Sequence, residues 1–476
     1  FGMRFGLDRM RRMMTALGSP QQRYDAIHVL GTNGKTSTAR MTAAILQRHG
    51  LATGAYLSPH LIAYCERVRI GERDLSADEL AAALARAARA EERVNRTLAE
   101  GDRVTQFELL TAAAFSEMAA REIDVAVVEA GLGGRYDATS VIDAPVTVLT
   151  SVGLEHTRWL GPTLSDIAEE KLAVVRPGGT LVLGSWLTGE ALAVAERVAG
   201  EREAQIVLAD VPSVLVDGEI ERGGGGELEG DGDSEGRCRA RGSMRMHIVG
   251  AGHWTDDLGG AASGSNAIAL RARGAFQRRN FALATAAAEA HLRGVGIELD
   301  ERAVRAAAAA TEVAGRLQVV DEHPLTVLDG AHNPDAVAAL VQALPEVLGG
   351  RAVGLVMGVL EDKDAASMLA ALTQPSGCSA RVCERAWFTA PPSPRALSPA
   401  VLQSLARQLG FDAVACEPQP RRALEQARRW AGEGEDGDRN GRAVLVTGSV
   451  YLIGDLLRQP QDASATLLSR QAAPQG

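Results

Sequence analysis

The stretch VAVVEAGLGGRYD at 125–137 constrains the fold more than any other part of this chain. An apolar run meets an acid, Glu129, and then three glycines within four residues. A run of that kind predicts a buried parallel strand that delivers a carboxylate to its C-terminal end, where open α/β sheets bind ligands. The glycines let a ligand approach the backbone closely, and Arg135 and Asp137 close the segment. Upstream, HVLGTNGKTS at 28–37 repeats the theme. Residues 31–36, GTNGKT, lie between a predicted strand and a predicted helix. They offer backbone amides and Lys35 to phosphates, with the helix N-terminus reinforcing anion binding. Val29 occupies the first glycine position of the full GxxxxGK[ST] pattern, so this is a shortened P-loop. Thr32, Asn33, Gly34, Lys35 and Thr36 are the expected nucleotide contacts.

Strand and helix patterns alternate around these turns. Strands are expected at 27–30, 125–129, 146–150 and 180–183, and helices at 36–49, 107–121 and 164–175, the signature of βαβ units. Residues 217–242 contain GGGG and ELEGDGDSEG and read as a flexible surface insertion. Helices at 279–293 and 300–311 follow. A second α/β series has strands at 326–328, 354–357 and 443–446, with a loop at 432–441. At 476 residues the chain exceeds one typical core. A boundary near 312–316 divides it into domains 1–312 and 313–476.

Composition excludes some classes. The net charge is −10 with acidic residues spread along the chain, which argues against nucleic acid as the main partner, since phosphate binding needs a clustered basic patch. No apolar run reaches the roughly 20 residues of a membrane helix. The N-terminal arginines 4, 9, 11 and 12 are followed by no apolar core of a signal peptide. Five scattered cysteines fit a reducing, cytoplasmic setting.

Other residues have two local readings. Ser58, in YLSPHL, is either a magnesium ligand or part of a turn. His156, in GLEHTRWLG, follows a strand end beside Glu155; magnesium prefers oxygen, so a histidine ligand would be unusual. Lys171, in EEKLAVV, reads locally as a solvated lysine among glutamates. In LDGAHNP, Asp329 follows a strand, and His332-Asn333-Pro334 opens a helix. That group suits a ribose or phosphates, and Asn-Pro is also an ordinary helix start.

Taken in order, GTNGKTS, LSPHL, TQFELLTAAAF, VVEAGLGGRYDATSV, GLEHTRWLG, EEKLAVV, AGRLQVV, LDGAHNP, EDKD and TGSVYLIGD resemble folylpolyglutamate synthase/dihydrofolate synthase, the folate branch of the Mur-ligase superfamily. The resemblance runs from about Gly6 to Asp455, outside the glycine-rich insertion. It implies an N-terminal P-loop ATPase domain with a parallel sheet and a smaller C-terminal Rossmann-like domain. It further implies ATP-dependent addition of L-glutamate to a folate, with dihydropteroate as a possible second acceptor, through an acyl phosphate. By motif, Ser58, Glu129 and His156 correspond to the magnesium site, and Lys171 to a lysine that becomes a carbamate, which reverses its local reading. Lys35, Lys171 and His156 are then the catalytic set. Asn280, Arg316, Asp329 and His332 join the ATP contacts. Thr105, Gln106, Phe107 and Glu108, with Arg135, Tyr136 and Asp137, correspond to pterin contacts. A monomer is expected. Two positions depart from the family: Thr36-Ser37 replaces its Gly-Ser or Gly-Thr after the loop lysine, and Leu172-Ala173 replaces its Ala-Gly after the helix lysine. Rival readings are a peptidoglycan-precursor ligase of the same superfamily, a non-catalytic nucleotide-binding protein and a bare ATPase.

Overall fold

Strands that are apolar along their whole length need cover on both faces, and parallel sheets provide it. The computed structural model of the chain bears this out. It describes residues 6–187, 189–211, 246–250, 254–255, 268–373, 383–433 and 441–458; the expected insertion at 217–242 and most of the 432–441 loop lie outside them. The chain forms two compact units. The first comprises residues 1–53, 91–270 and 279–309, and the second 54–90, 271–278 and 310–476. The second unit thus takes two segments that the linear division at 312/313 assigned to the first domain.

In the first unit six strands run parallel. Their order is Val125–Glu129, Asp25–Leu30, Val146–Leu149, Thr180–Gly184, Gln205–Asp210, Met246–Gly250. Residues 125–129 are all buried. Because the strands are parallel, Leu30, Glu129 and Leu149 end on one edge, and the loops that follow them meet there. Helix Lys35–Arg48 leaves that edge after Gly34, whose φ of 88° is left-handed. Helix Gln106–Ala120 starts in a capping box: Thr105 Oγ1 accepts from the Glu108 amide, and the Glu108 carboxylate accepts from the Thr105 amide. Helix Leu164–Leu172 is capped by Thr163 and packs a core of Leu149, Leu172, Leu181, Leu183 and Ile206.

The second unit carries a six-stranded sheet. Its order is Gln318–Glu322, Leu325–Leu328, Arg442–Thr447, Ala352–Met357, Cys383–Phe388, Val414–Cys416. Only the first pair is antiparallel. Helix Pro334–Leu348 opens with Asn333 accepting from the Ala336 amide and proline in the first turn. Both units are therefore α/β with mainly parallel sheets. Strand and helix positions expected from sequence recur within a few residues of the observed ends.

Candidate active site

The strand-end loops of the first unit build one pocket, lined by Gly31, Thr32, Lys35, the 130–133 turn, Glu155, His156, Leu160 and Lys171. The 31–34 loop is held by hydroxyls that sequence reasoning passed over. Ser151 Oγ accepts from the Asn33 amide at 2.9 Å. Thr150 Oγ1 donates to the carbonyls of Asn33 and Leu30, at 2.6 and 3.1 Å, and the Thr32 amide donates to the Ser151 carbonyl. The signal for these was available: hydroxyl residues directly after a buried strand. Asn280 closes the loop from the side. A Cβ on Gly34 would lie 2.4 Å from Asn280 Oδ1, so only glycine admits the amide there.

Two lysine side chains converge on one carbonyl. Lys35 Nζ donates to the Gly31 and Thr32 carbonyls, both at 3.0 Å, and Lys171 Nζ donates to the same Gly31 carbonyl at 2.8 Å. Lys171 is 4% exposed, which overturns its reading as a solvated lysine. The four-residue EEKL pattern cannot show that helix Leu164–Leu172 turns this side chain into the pocket. Burial, reinforced by the Lys35 charge, pushes Lys171 down to about 7. Beside this pair, Thr36 Oγ1 donates to both oxygens of Glu129, at 2.9 and 3.0 Å, and Glu129 is 1% exposed. Hydroxyl and carboxylate oxygens at the N-terminus of a loop-led helix are the donors a hard cation takes. Among the described residues no group of three His, Cys, Asp or Glu side chains gathers to hold a metal. His156, in left-handed conformation (φ 56°), lines the same pocket, with Nε2 4.0 Å from Glu155.

The glycine turn docks on the end of the Lys171 helix. The Arg135 amide donates to the Glu170 carbonyl, and its guanidinium pairs with the Glu170 carboxylate at 3.1 Å. A Cβ on Gly134 would lie 2.4 Å from the Lys171 carbonyl oxygen. Asp137 turns inward, its carboxylate accepting from the Leu132 amide at 2.8 Å and the Thr139 amide at 3.0 Å. Tyr136 is exposed. Phe107 packs against Gly131, which joins the 105–108 motif to the turn. Within that motif Glu108 is engaged: besides capping, it takes both bonds of Arg9 Nε, at 3.1 and 3.0 Å. Arg9, also paired with Asp102, escaped sequence reasoning because its partners lie more than ninety positions away.

Ser58, Arg316, Asp329 and His332 belong to the second unit. Ser58 is buried. Asp329 accepts from the Leu317 and Ala331 amides at 2.9 and 2.8 Å, with Arg316 4.0 Å away. Burial nonetheless pushes its carboxyl above the usual range. His332 Nδ1 bonds the Gly330 carbonyl at 2.8 Å, so this group is a built turn at a strand end.

Comparison with known proteins places this arrangement. Residues 29–183 match the Mur ligase middle domain, and residues 315–450 the Mur ligase glutamate ligase domain. The dihydrofolate synthase/folylpolyglutamate synthase of Mycobacterium tuberculosis is 34% identical over 463 residues, covering 94% of this chain and 88% of that protein. A probable bifunctional folylpolyglutamate synthase/dihydropteroate synthase of Haloferax volcanii is 32% identical over 96% of this chain. The chain spans about half, 48%, of that relative's length. The solved M. tuberculosis folylpolyglutamate synthase complexed with ADP superposes with a TM-score of 0.79 at 31% identity, covering 99% of this chain and 96% of that one. The chain belongs to the folylpolyglutamate synthase/dihydrofolate synthase family of Mur ligases.

Proposed function

We propose that this chain is an ATP-dependent ligase that joins L-glutamate to the carboxylate of a folate, and that dihydropteroate is a second acceptor. The observation that carries the reading is the convergence of Lys35 and Lys171 on the Gly31 carbonyl beside the Thr36–Glu129 pair. A carboxylate does not react with an amine directly, so the acceptor must be activated. Transfer of the γ-phosphoryl group of ATP to it makes an acyl phosphate; attack by the glutamate amine then expels phosphate.

The residues have the following roles in this reading. Lys35 and the 31–34 loop bind and orient the nucleotide phosphates, with Asn280 against the loop, and their positive charge offsets charge built up in transfer. Thr36, Glu129 and His156 would hold magnesium in the first unit, where the ion would supply charge neutralisation at the transferring phosphoryl group; Ser58 keeps the magnesium role that the family resemblance gives it. Burial lowers Lys171 to about 7, which makes the neutral amine, the form that takes up carbon dioxide, accessible near neutrality, and as a carbamate it would present oxygens to the cation. Arg316, Asp329 and His332 serve ATP from the second unit. Thr105, Gln106, Phe107, Glu108, Arg135, Tyr136 and Asp137 border the pterin, and Glu108 and Asp137 also hold their neighbours in place. The nucleotide domain is a shortened P-loop fold, and the C-terminal domain is Rossmann-like. The protein works as a cytoplasmic monomer without nucleic acid or membrane; among the described residues no helix is long and apolar enough to span a bilayer.

The test is product mass spectrometry with ATP, magnesium and glutamate, using tetrahydrofolate and dihydropteroate separately. A product heavier by one glutamyl residue supports the reading. ATP turnover that needs neither acceptor nor glutamate would instead favour a bare ATPase.

A further inference from the structure

The strand that leads into the 31–34 loop carries one polar side chain in its buried middle. His28 faces Val128 and Thr147 in the two flanking strands and is 1% exposed. An aliphatic residue would fill such a site; an imidazole there is costly unless it is hydrogen-bonded. Its partner is Thr139, fully buried, with His28 Nε2 2.9 Å from Thr139 Oγ1. Thr139 in turn lies 2.5 Å from Asp137 Oδ1. A hydroxyl has one proton to give. The carboxylate takes it, so Thr139 accepts from His28, and His28 carries its proton on Nε2. Asp137 also accepts from the amides of Leu132 and Thr139, and Ser140 adds a bond to the Gly134 carbonyl.

We infer that His28, Thr139 and Asp137 form a buried relay of positioning residues that ties the nucleotide-loop strand to the 131–137 turn and sets that turn for the pterin substrate. Only its two ends differ in what they hold. At one end the imidazole is fixed in a strand bonded on both sides. At the other the carboxylate grips the turn that lines the pocket and carries Arg135 and Tyr136. Burial keeps His28 neutral, pushed down to about 3, and pushes the Asp137 carboxyl above its usual range.

The kinetic part of the test rests on the ligase reading above; the exchange part does not. Thr139→Val keeps shape and removes both hydrogen bonds, whereas Thr139→Ser keeps them. In Thr139→Val the Leu132 amide is expected to exchange about tenfold faster or more. The KM for the pterin acceptor is expected to rise roughly fivefold or more, with the KM for ATP within about twofold. Thr139→Ser should behave as the parent, and the imidazole nitrogen spectrum should show His28 protonated on Nε2. Should Thr139→Val not fold, His28→Gln, which keeps a side-chain N–H, is compared with His28→Leu; only the latter should free the Leu132 amide. Parent-like exchange in Thr139→Val overturns the relay. Faster exchange with an unchanged pterin KM overturns its positioning role, as does an equal rise in both KM values. Absence of any ligation would count against the ligase reading, and the exchange data would still decide the relay.

Discussion

Lys171→Met should make the protein more stable while abolishing ligation. The Lys171 amine is buried and displaced from 10.5 to about 7. At about 1.4 kcal/mol per unit, that displacement sets a ceiling of about 5 kcal/mol on the cost of holding this lysine. The sign follows from proton binding: between about 7 and 10.5 the unfolded chain holds the proton and the folded chain has released it. Stability therefore rises with pH across that window, and the cost is full below about 7. Near pH 7.5 it is about 4 kcal/mol. Methionine matches the length of the stem and cannot take a proton. It forfeits the bond to Gly31 O, worth about 1 kcal/mol, but Lys35 still donates to that carbonyl. The expected net gain is about 3 kcal/mol near pH 7.5, falling to about zero near pH 10.5. Amide exchange in strand Asp25–Leu30 reads the opening of the first unit, and decarbonated buffer keeps the amine unmodified. A gain that is absent near neutrality, or equal at both pH values, would refute the reasoning.

Other outcomes follow from the same geometry. Arg9→Met strands the buried Glu108 carboxylate and should cost about 3–5 kcal/mol in denaturant unfolding, part of it recovered when Glu108→Gln is added. Gly134→Ala drives a Cβ into the Lys171 carbonyl, 2.4 Å away, and should lower stability by about 1–3 kcal/mol and raise the pterin KM. Glu129→Gln keeps an acceptor for Thr36 but removes the charge. The magnesium concentration for half-maximal rate should then rise on the order of tenfold with little change in melting temperature.

The extent to which the sequence foretold this structure differs by kind of interaction. The strand at 125–129 was legible to the residue because four consecutive apolar positions ending on an acid, all buried, leave a continuous record. The turn at 31–34 was legible because its glycines answer to local backbone needs, Gly34 taking a left-handed φ of 88°. Lys171 was not, since local spacing leaves a lysine among glutamates ambiguous and only the tertiary packing of its helix buries the amine. Family resemblance alone pointed to it. Arg9, Thr139 and His28 were missed for a related reason: each matters through a partner on another element, and no local pattern announces such a pairing. The division into units was likewise hidden, because residues 54–90 and 271–278 cluster with the C-terminal part of the chain, a property of contacts rather than of composition.

The central claim is that ATP activates the acceptor carboxylate as an acyl phosphate beside Lys35 and Lys171. Its most direct test uses a pterin acceptor whose reacting carboxylate is labelled with heavy oxygen, incubated with ATP, magnesium and glutamate. The expected products are ADP, a glutamylated pterin and inorganic phosphate carrying one labelled oxygen from the carboxylate. Unlabelled phosphate accompanying the glutamylated product, or AMP with labelled AMP phosphate, would contradict activation as an acyl phosphate.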